Sequence, residues 1–495
     1  MKTIVKNAGY VLNSSTNVWS RPDYEGIAYS DGDENENRLA VIIDGAQDRS
    51  LHSLELSEHC TDWVSLYHLN KTRANVLRPF EAELKGKNVL EIGAGCGVIT
   101  RYLGESGATV LALEGSLKRA SIARSRTIDL ENVTVVADRF SLFSTAQQFD
   151  FITFIGVLEY ANLFTDGENP ATAMLEQARS LLRPDGKIII AIENQLGLKY
   201  LAGAPEDHLG LPMFGVEGRY EKNQPETFGR VRLEKILRDA GFLQQHFLAP
   251  FPDYKFPVSI ITEQGAIADN FDASVFAWQS VKRDPQLPGK LNFSLELTWQ
   301  EVFKNNLGLS LANSFLIVAS PIKKELIDSS ILAYHYSTGR IAEYCKETLF
   351  YKSSDNKVVI SSNLLKKKNK EQIPLPVKHF LSQSEPYIQG DLLSLQLIRI
   401  LTRNNWTIND VVLFFKRYID ILKKITWVEG AKNNWSSPYE TISGDYFDAI
   451  PQNIILSNNQ IATFFDKEWI FTGPFELGYL FFRALSITAN IITHF

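Results

Sequence analysis

Cysteine is scarce in this sequence. The 495 residues hold three, Cys60, Cys96 and Cys345. They lie far apart and show no metal-ligand spacing, which implies a reduced, cytoplasmic setting. Positive charge is not in excess either. Lys and Arg number 51 against 57 Asp and Glu, a formal net charge of -6. That excludes nucleic-acid binding by bulk charge and leaves only a local basic face open. The N-terminus, "MKTIVKNAGYVLNSS", lacks an apolar run long enough for a signal peptide. The apolar stretch from Gly478 to Phe495 carries Arg483. It predicts a buried final helix rather than a membrane span, and its abrupt end implies a chain shorter than its natural relatives. No internal repeat is visible.

What remains is the composition of a soluble globular protein, 44% hydrophobic and 22% charged. The length is too great for one ordinary core, so two or three domains are expected. From Lys87 to about Val258, short apolar runs ending in Gly, Asp or Glu ("NVLEIG", "TVLALEG", "VTVVAD", "FDFITFIG", "GKIIIAIEN") alternate with helical stretches. This alternation implies a parallel sheet covered on both faces. "PFPDYKFP" breaks any helix and starts a connection. The expected organisation is an N-terminal segment over 1–80, an α/β domain over 81–260, a connecting α/β segment over 261–325 and a separate α+β domain over 326–495. "KKKNK" at 366–370 reads as a solvated loop.

Gly93, Gly95 and Gly97 follow a strand and precede the helix "VITRYLGES". Glycines there allow a tight turn with no Cβ in the way of a ligand. The spacing is G-x-G-x-G, whereas the dinucleotide fingerprint is G-x-G-x-x-G. A turn serving only close packing and an NAD site are the alternatives. Three acids stand in order around this turn. Glu91 lies inside it. Glu114 ends the second strand, where its oxygens can accept both hydroxyls of a ribose. Asp138 ends the third, where a carboxylate can accept from an exocyclic adenine amine. Together these residues resemble the class I S-adenosylmethionine-dependent methyltransferase family, in which a strand ending E-x-G-x-G-x-G begins the cofactor site. The resemblance covers roughly residues 60–258 and implies a Rossmann-like, seven-stranded sheet. It also implies cofactor contacts from Ala94, from Gly115 and Ser116, from Arg139, and from Ile155 and Gly156 near the sulfonium. Upstream, "YHLNKTRANVLRPF" looks like a cofactor lid, with Tyr67 and Arg73 closing over the methionine carboxylate. The acceptor rim carries Glu159, Glu193, Asn194, Asp207 and His208. His208 is the first choice for a general base, with Glu159 beside it. With no metal cluster visible in the sequence, metal-free transfer is expected.

A second constellation lies near the C-terminus. Asp448 and Asn453 have the D-x-x-x-x-N spacing of a kinase catalytic loop, and Asp466 follows a turn where a kinase places its second metal-binding Asp. The resemblance implies Asp448 as the residue orienting an acceptor hydroxyl, Asn453 and Asp466 as Mg²⁺ ligands, and ATP as cofactor of an active second half. Kinase features are also missing. "YHYSTGR" has a single glycine, no V-A-I-K is present, Phe447 stands where Arg is usual, and "DKEW" replaces D-F-G. The phosphate-binding lysine is left to Lys346, Lys357 or a loop lysine. The two halves in this order, with "YSDG" and "AIENQLGLKYLAGAPEDH", resemble bacterial methyltransferase–kinase fusions of surface-polysaccharide (O-antigen) synthesis. That resemblance implies a glycan acceptor or its terminal phosphate, and a polysaccharide-synthesis complex at the inner face of the membrane. The alternative is a small-molecule O-methyltransferase with a non-catalytic, pseudokinase-like binding module.

Overall fold

The computed structural model describes residues 1–366, 376–426 and 435–493. Residues 367–370 of the "KKKNK" run lie outside them.

An N-terminal hairpin, β1 (Val11–Asn13) and β2 (Val18–Ser20), leads into β3 (Asn88–Ile92), β4 (Thr109–Glu114), β5 (Val133–Ala137), β6 (Phe149–Ile155), β7 (Leu182–Glu193) and β8 (Gln244–Phe251). Strands β2 through β7 run parallel in the order β2-β5-β4-β3-β6-β7. The reason is visible in the strands themselves. Every residue of β5 is buried, as are the last eight of β7. A strand apolar on both faces is stable only under helices on both sides. Amphipathic helices Val98–Glu105, Pro170–Leu181 and Arg230–Asp239 supply that cover.

Two further strands, β9 (Ser259–Ile261) and β10 (Ser314–Ser320), correct the expected domain boundaries. β10 is wholly buried and runs antiparallel between β7 and β8. It therefore completes the seven-stranded sheet from inside the segment expected to be a separate connection over 261–325. The boundary at 260 moves to about residue 320, with the helices Ser274–Ser280 and Leu295–Lys304 as an insertion before the last strand. No gap separates the halves either. β9 pairs with β8 on one side and with β11 (Ile331–Ser337) on the other. β12 (Lys346–Lys352), β13 (Val358–Leu364) and, beyond β14 (Val377–His379), β15 (Ser384–Pro386) extend the ladder to fourteen strands.

Helices Leu393–Leu401 and Ile408–Ile425 follow, then the hairpin Ile454–Leu456/Ala462–Phe464 and a last helix, Leu477–Ala489. This last helix buries Leu477, Leu480 and Ala484 but leaves Phe482 64% exposed, so only one face is covered, not the whole helix as expected. Among the described residues no helix is long and apolar enough to cross a membrane.

Candidate active site

The three glycines have different reasons to be glycine. All have positive φ, +72° at Gly93, +55° at Gly95 and +84° at Gly97. A Cβ on Gly93 would sit 2.5 Å from Val157, and one on Gly97 would sit 2.8 Å from the Ala123 backbone. On Gly95 the nearest atom is His68 Cε1 at 3.9 Å. The outer two are thus dictated by packing, while the middle one borders open space. That space is a cavity of about 460 Å³ at the C-terminal ends of the parallel strands, the rim where α/β sheets hold ligands. All the expected cofactor residues except Gly97 and Ser116 line it, as do Glu159 and His208.

Glu114 sits at the end of β4 with each oxygen anchored by backbone. Oε2 accepts from Gly95 N–H at 2.7 Å and Oε1 from Ser116 N–H at 2.9 Å. Burial raises its pKa, and the two N–H donors oppose that rise. Asp138 is less free than expected. Its carboxylate accepts from Tyr10 Oη at 2.5 Å, from Arg21 and from Arg139 N–H at 2.8 Å. It reaches the cavity wall as the anchor of the N-terminal segment, not as an open acceptor. That segment then straps over the end of β4. Tyr24 Oη donates to Gly115 O at 2.6 Å, and Asp31 bridges His68 at 2.7 Å and Arg119 at 2.6 Å.

The segment expected to be a lid forms the helix Trp63–Leu69 and the turn Lys71–Val76. Arg73 is buried with its guanidinium 3.9 Å over the Tyr67 ring. Its Nε has no partner, and among the described residues no carboxylate pairs with it. Asn75 of the same turn donates to Thr338 Oγ1 at 2.9 Å, so the second half braces the lid. Across the cavity, Glu91 Oε2 is buried without a partner, and burial with the nearby Glu114 charge pushes its pKa up to about 8.

At the acceptor end, Lys255 Nζ lies 2.5 Å from Glu193 Oε1, which Tyr254 Oη also reaches at 3.2 Å. His208 places Nε2 3.6 Å from Glu193 Oε2 and Nδ1 3.2 Å from Tyr160 Oη. Burial opposes protonation of this ring, but the charges of Glu193 and Glu159 outweigh it and raise its pKa to about 9. With no ion between them, the two acids thus raise the affinity of His208 for a proton, which works against its expected role as a free base. Burial and Glu193 push Glu159 up to about 8. The sequence showed no metal cluster, yet Glu159, Glu193 and His208 each present a ligand atom within 4.8 Å of the others. Behind them lies a buried lattice of Lys199 with Asp207, Asp253 and Asp284. Asn194, an expected rim candidate, instead clamps backbone, donating to Ser310 O and Ala312 O at 2.9 and 2.7 Å. Sequence reasoning missed Tyr160, Arg119, Tyr254 and Lys255. The last two stand in "PFPDYKFPVSII", where a charged residue in an apolar run was the available signal.

In the second half, Asp448 has both oxygens engaged, Oδ1 by Arg483 at 2.9 Å and Oδ2 by Trp469 N–H at 3.1 Å. Arg483, from the last helix, thus supplies the cation that Phe447 does not. The Asn453 amide is turned to Asp448 O at 3.0 Å. Asp466, with φ +51°, lies 3.2 Å from Lys346, which also reaches Glu468 at 3.2 Å. Of the candidate lysines, Lys357 is exposed and paired with Asp355, so Lys346 alone of the two meets the acidic cluster. Of the expected trio, Asp448 has both oxygens engaged, Asn453 engages only its amide N–H, and Asp466 meets Lys346 through Oδ1.

Residues 66–244 match the family model described as a methyltransferase domain. A ubiquinone biosynthesis O-methyltransferase of Salmonella paratyphi A is 26% identical over 144 residues, covering 28% of this chain and 56% of that protein. Its counterpart in Haemophilus ducreyi is 25% identical over 143 residues, covering 28% and 58%. The chain thus spans little more than half the length of these curated relatives. Among solved structures, the N-methyltransferase NodS of Bradyrhizobium japonicum WM9 in complex with S-adenosyl-L-homocysteine shares 18% identity over 33% of this chain and 75% of that one, with a TM-score of 0.24. The match to a methyltransferase domain thus covers the strands from β3 to β7 and the turn at Gly95.

Proposed function

We propose that the chain transfers the methyl group of S-adenosylmethionine to a hydroxyl of a surface-glycan acceptor. One observation carries the cofactor reading. The open turn at Gly95, the backbone-anchored Glu114, the unpaired Arg73 cation and the unpartnered Glu91 all face one cavity. They offer acceptors for a ribose, a cation for a carboxylate and an acid for an ammonium. The bound cofactor supplies a methyl already activated on positive sulfur. The protein then needs mainly to aim the acceptor and exclude water. Five buried carboxylates, Glu159, Glu193, Asp207, Asp253 and Asp284, stand against Lys199, Lys255 and His208 at the acceptor end. That balance favours an uncharged hydroxyl over a phosphate. The glycan class rests on the likeness of "AIENQLGLKYLAGAPEDH" to polysaccharide-modifying fusions, and labelled cofactor incubated with glycan fractions and with small-molecule extracts separates it from a small-molecule acceptor.

Calorimetry with S-adenosylmethionine tests the cofactor site. Glu114→Ala should weaken binding by about 1–3 kcal/mol, the usual cost of lost charged hydrogen bonds, and unchanged affinity would overturn the assignment. Glu91 makes binding pH-dependent. It holds a proton below about 8 in the free protein, and a ligand ammonium beside it favours the ionised form. Binding at pH 7 should therefore release a proton, and affinity should rise by up to about tenfold per pH unit towards pH 8 before levelling. Calorimetry in two buffers of different ionisation enthalpy reads the proton, and Glu91→Gln should remove both effects.

The Lys346–Asp466 pair favours a second reading, in which the C-terminal half binds ATP with Mg²⁺. ATP and Mg²⁺ should raise the melting temperature of the full chain and fail to do so in Asp466→Ala. No shift in the wild type would leave that half as a binding module without nucleotide.

A further inference from the structure

Three buried side chains meet at the acceptor end, each with an atom that makes no hydrogen bond, although His208 Nε2 and Glu193 Oε2 face each other at 3.6 Å. Glu159 comes from the turn after β6, Glu193 from the end of β7 and His208 from the loop beyond. Glu159 Oε2, Glu193 Oε2 and His208 Nε2 are all buried without a hydrogen-bond partner. The two glutamates are 2% and 0% exposed. Such an unsatisfied buried atom is destabilising, and more so when charged. Three orphans from three separate elements, facing one another, need a common partner.

We propose that Glu159, Glu193 and His208 form a binding site for one divalent first-row transition-metal ion, of the Mn²⁺ or Zn²⁺ class, at the acceptor end of the cavity. The separation of 3.6 Å between His208 Nε2 and Glu193 Oε2 is that of two ligands with bonds of about 2.1 Å meeting at about 118°. Tyr160 Oη, 3.2 Å from the other ring nitrogen, holds the imidazole in orientation from behind. Lys255 and Tyr254 occupy the other oxygen of Glu193 and leave Oε2 for the ion. One imidazole and two carboxylates suit Mn²⁺ or Zn²⁺ better than Mg²⁺, which keeps oxygen ligands and several waters. Three protein ligands also leave a coordination position open towards the cavity, where an acceptor oxygen fits. That use of the site rests on the methyl-transfer reading; the occupancy of the site does not.

The full chain, stripped with EDTA, is titrated with MnCl₂ and followed by electron paramagnetic resonance. S-adenosylhomocysteine binding is measured in parallel by calorimetry. One Mn²⁺ per chain is expected. Glu159→Gln and His208→Asn should each weaken Mn²⁺ at least tenfold while changing the affinity for S-adenosylhomocysteine less than threefold, which also shows that the variant is folded. If one variant loses both, the other decides. A wild type that takes up no Mn²⁺, or variants that bind it as well as the wild type, would overturn the proposal and leave a protonated His208 between the two acids. Mn²⁺ binding without homocysteine-ligand binding would retain the site and sink the methyl-transfer reading instead.

Discussion

Lys199→Ala should destabilise the chain by about 3–5 kcal/mol, the typical loss when one partner leaves a buried charge cluster. Lys199 is 1% exposed, and its ammonium lies 3.0 Å from Asp253, 3.3 Å from Asp207 and 3.6 Å from Asp284. Its removal leaves Asp207 and Asp253 with Lys255 as their ammonium partner and, among the described residues, Asp284 with none. Burial already raises Asp284 despite the lysine, and Asp207, which Lys199 holds low, should rise without it. A carboxyl whose folded pKa lies above its unfolded one loses stability as pH rises through the folded value. The deficit should therefore be largest at neutral pH and shrink towards pH 5. Urea midpoints of wild type, Lys199→Ala and Lys199→Met at pH 5 and pH 7.5 check this. Lys199→Met keeps the apolar stem, so a methionine variant as stable as wild type at neutral pH would show that packing, not charge, matters there. Because Asp207 and Asp253 also hold Lys255, the same variant should disturb the acceptor end.

Gly97→Val should cost about 2–6 kcal/mol. Left-handed backbone in a β-branched residue costs about 1–3 kcal/mol, and overpacking adds about 1–3. Here the Cβ would meet the Ala123 backbone at 2.8 Å, which cannot move aside as a side-chain tip can. Gly95→Ala provides the contrast. Its φ is also positive, but its Cβ would point into the cavity with 3.9 Å to the nearest atom. That variant should lose about 1 kcal/mol to its left-handed backbone, less than Gly97→Val, and most of its cofactor binding. Thermal melts and calorimetry on the two variants separate the roles, and equal losses of stability would show that Gly95, too, is held by packing.

How much of this was legible beforehand depends on the range of the interactions. The parallel sheet, the glycine turn and Glu114 could be read because strand, turn and strand-end acid are neighbours in sequence. Apolar runs ending in Gly or an acid carry their own geometry. The strand Ser314–Ser320 was not assigned to that sheet because the choice of its neighbours is made by β7 and β8, more than sixty residues upstream. Asp138 was read as an open acceptor because Tyr10 and Arg21, which engage it, lie over a hundred positions away. His208 was read as a base for the same reason, since the carboxylates that raise its pKa come from two other elements.

The local pattern by itself therefore determined the class of fold at the first half, the bare turn and the acids that end its strands. Only the folded chain decided which of those acids stay open, which cation meets Asp448 and which three side chains share the space beside Lys255. Periodicity and turn chemistry act between near neighbours, whereas burial and charge pairing are settled by whichever distant segments the core brings together.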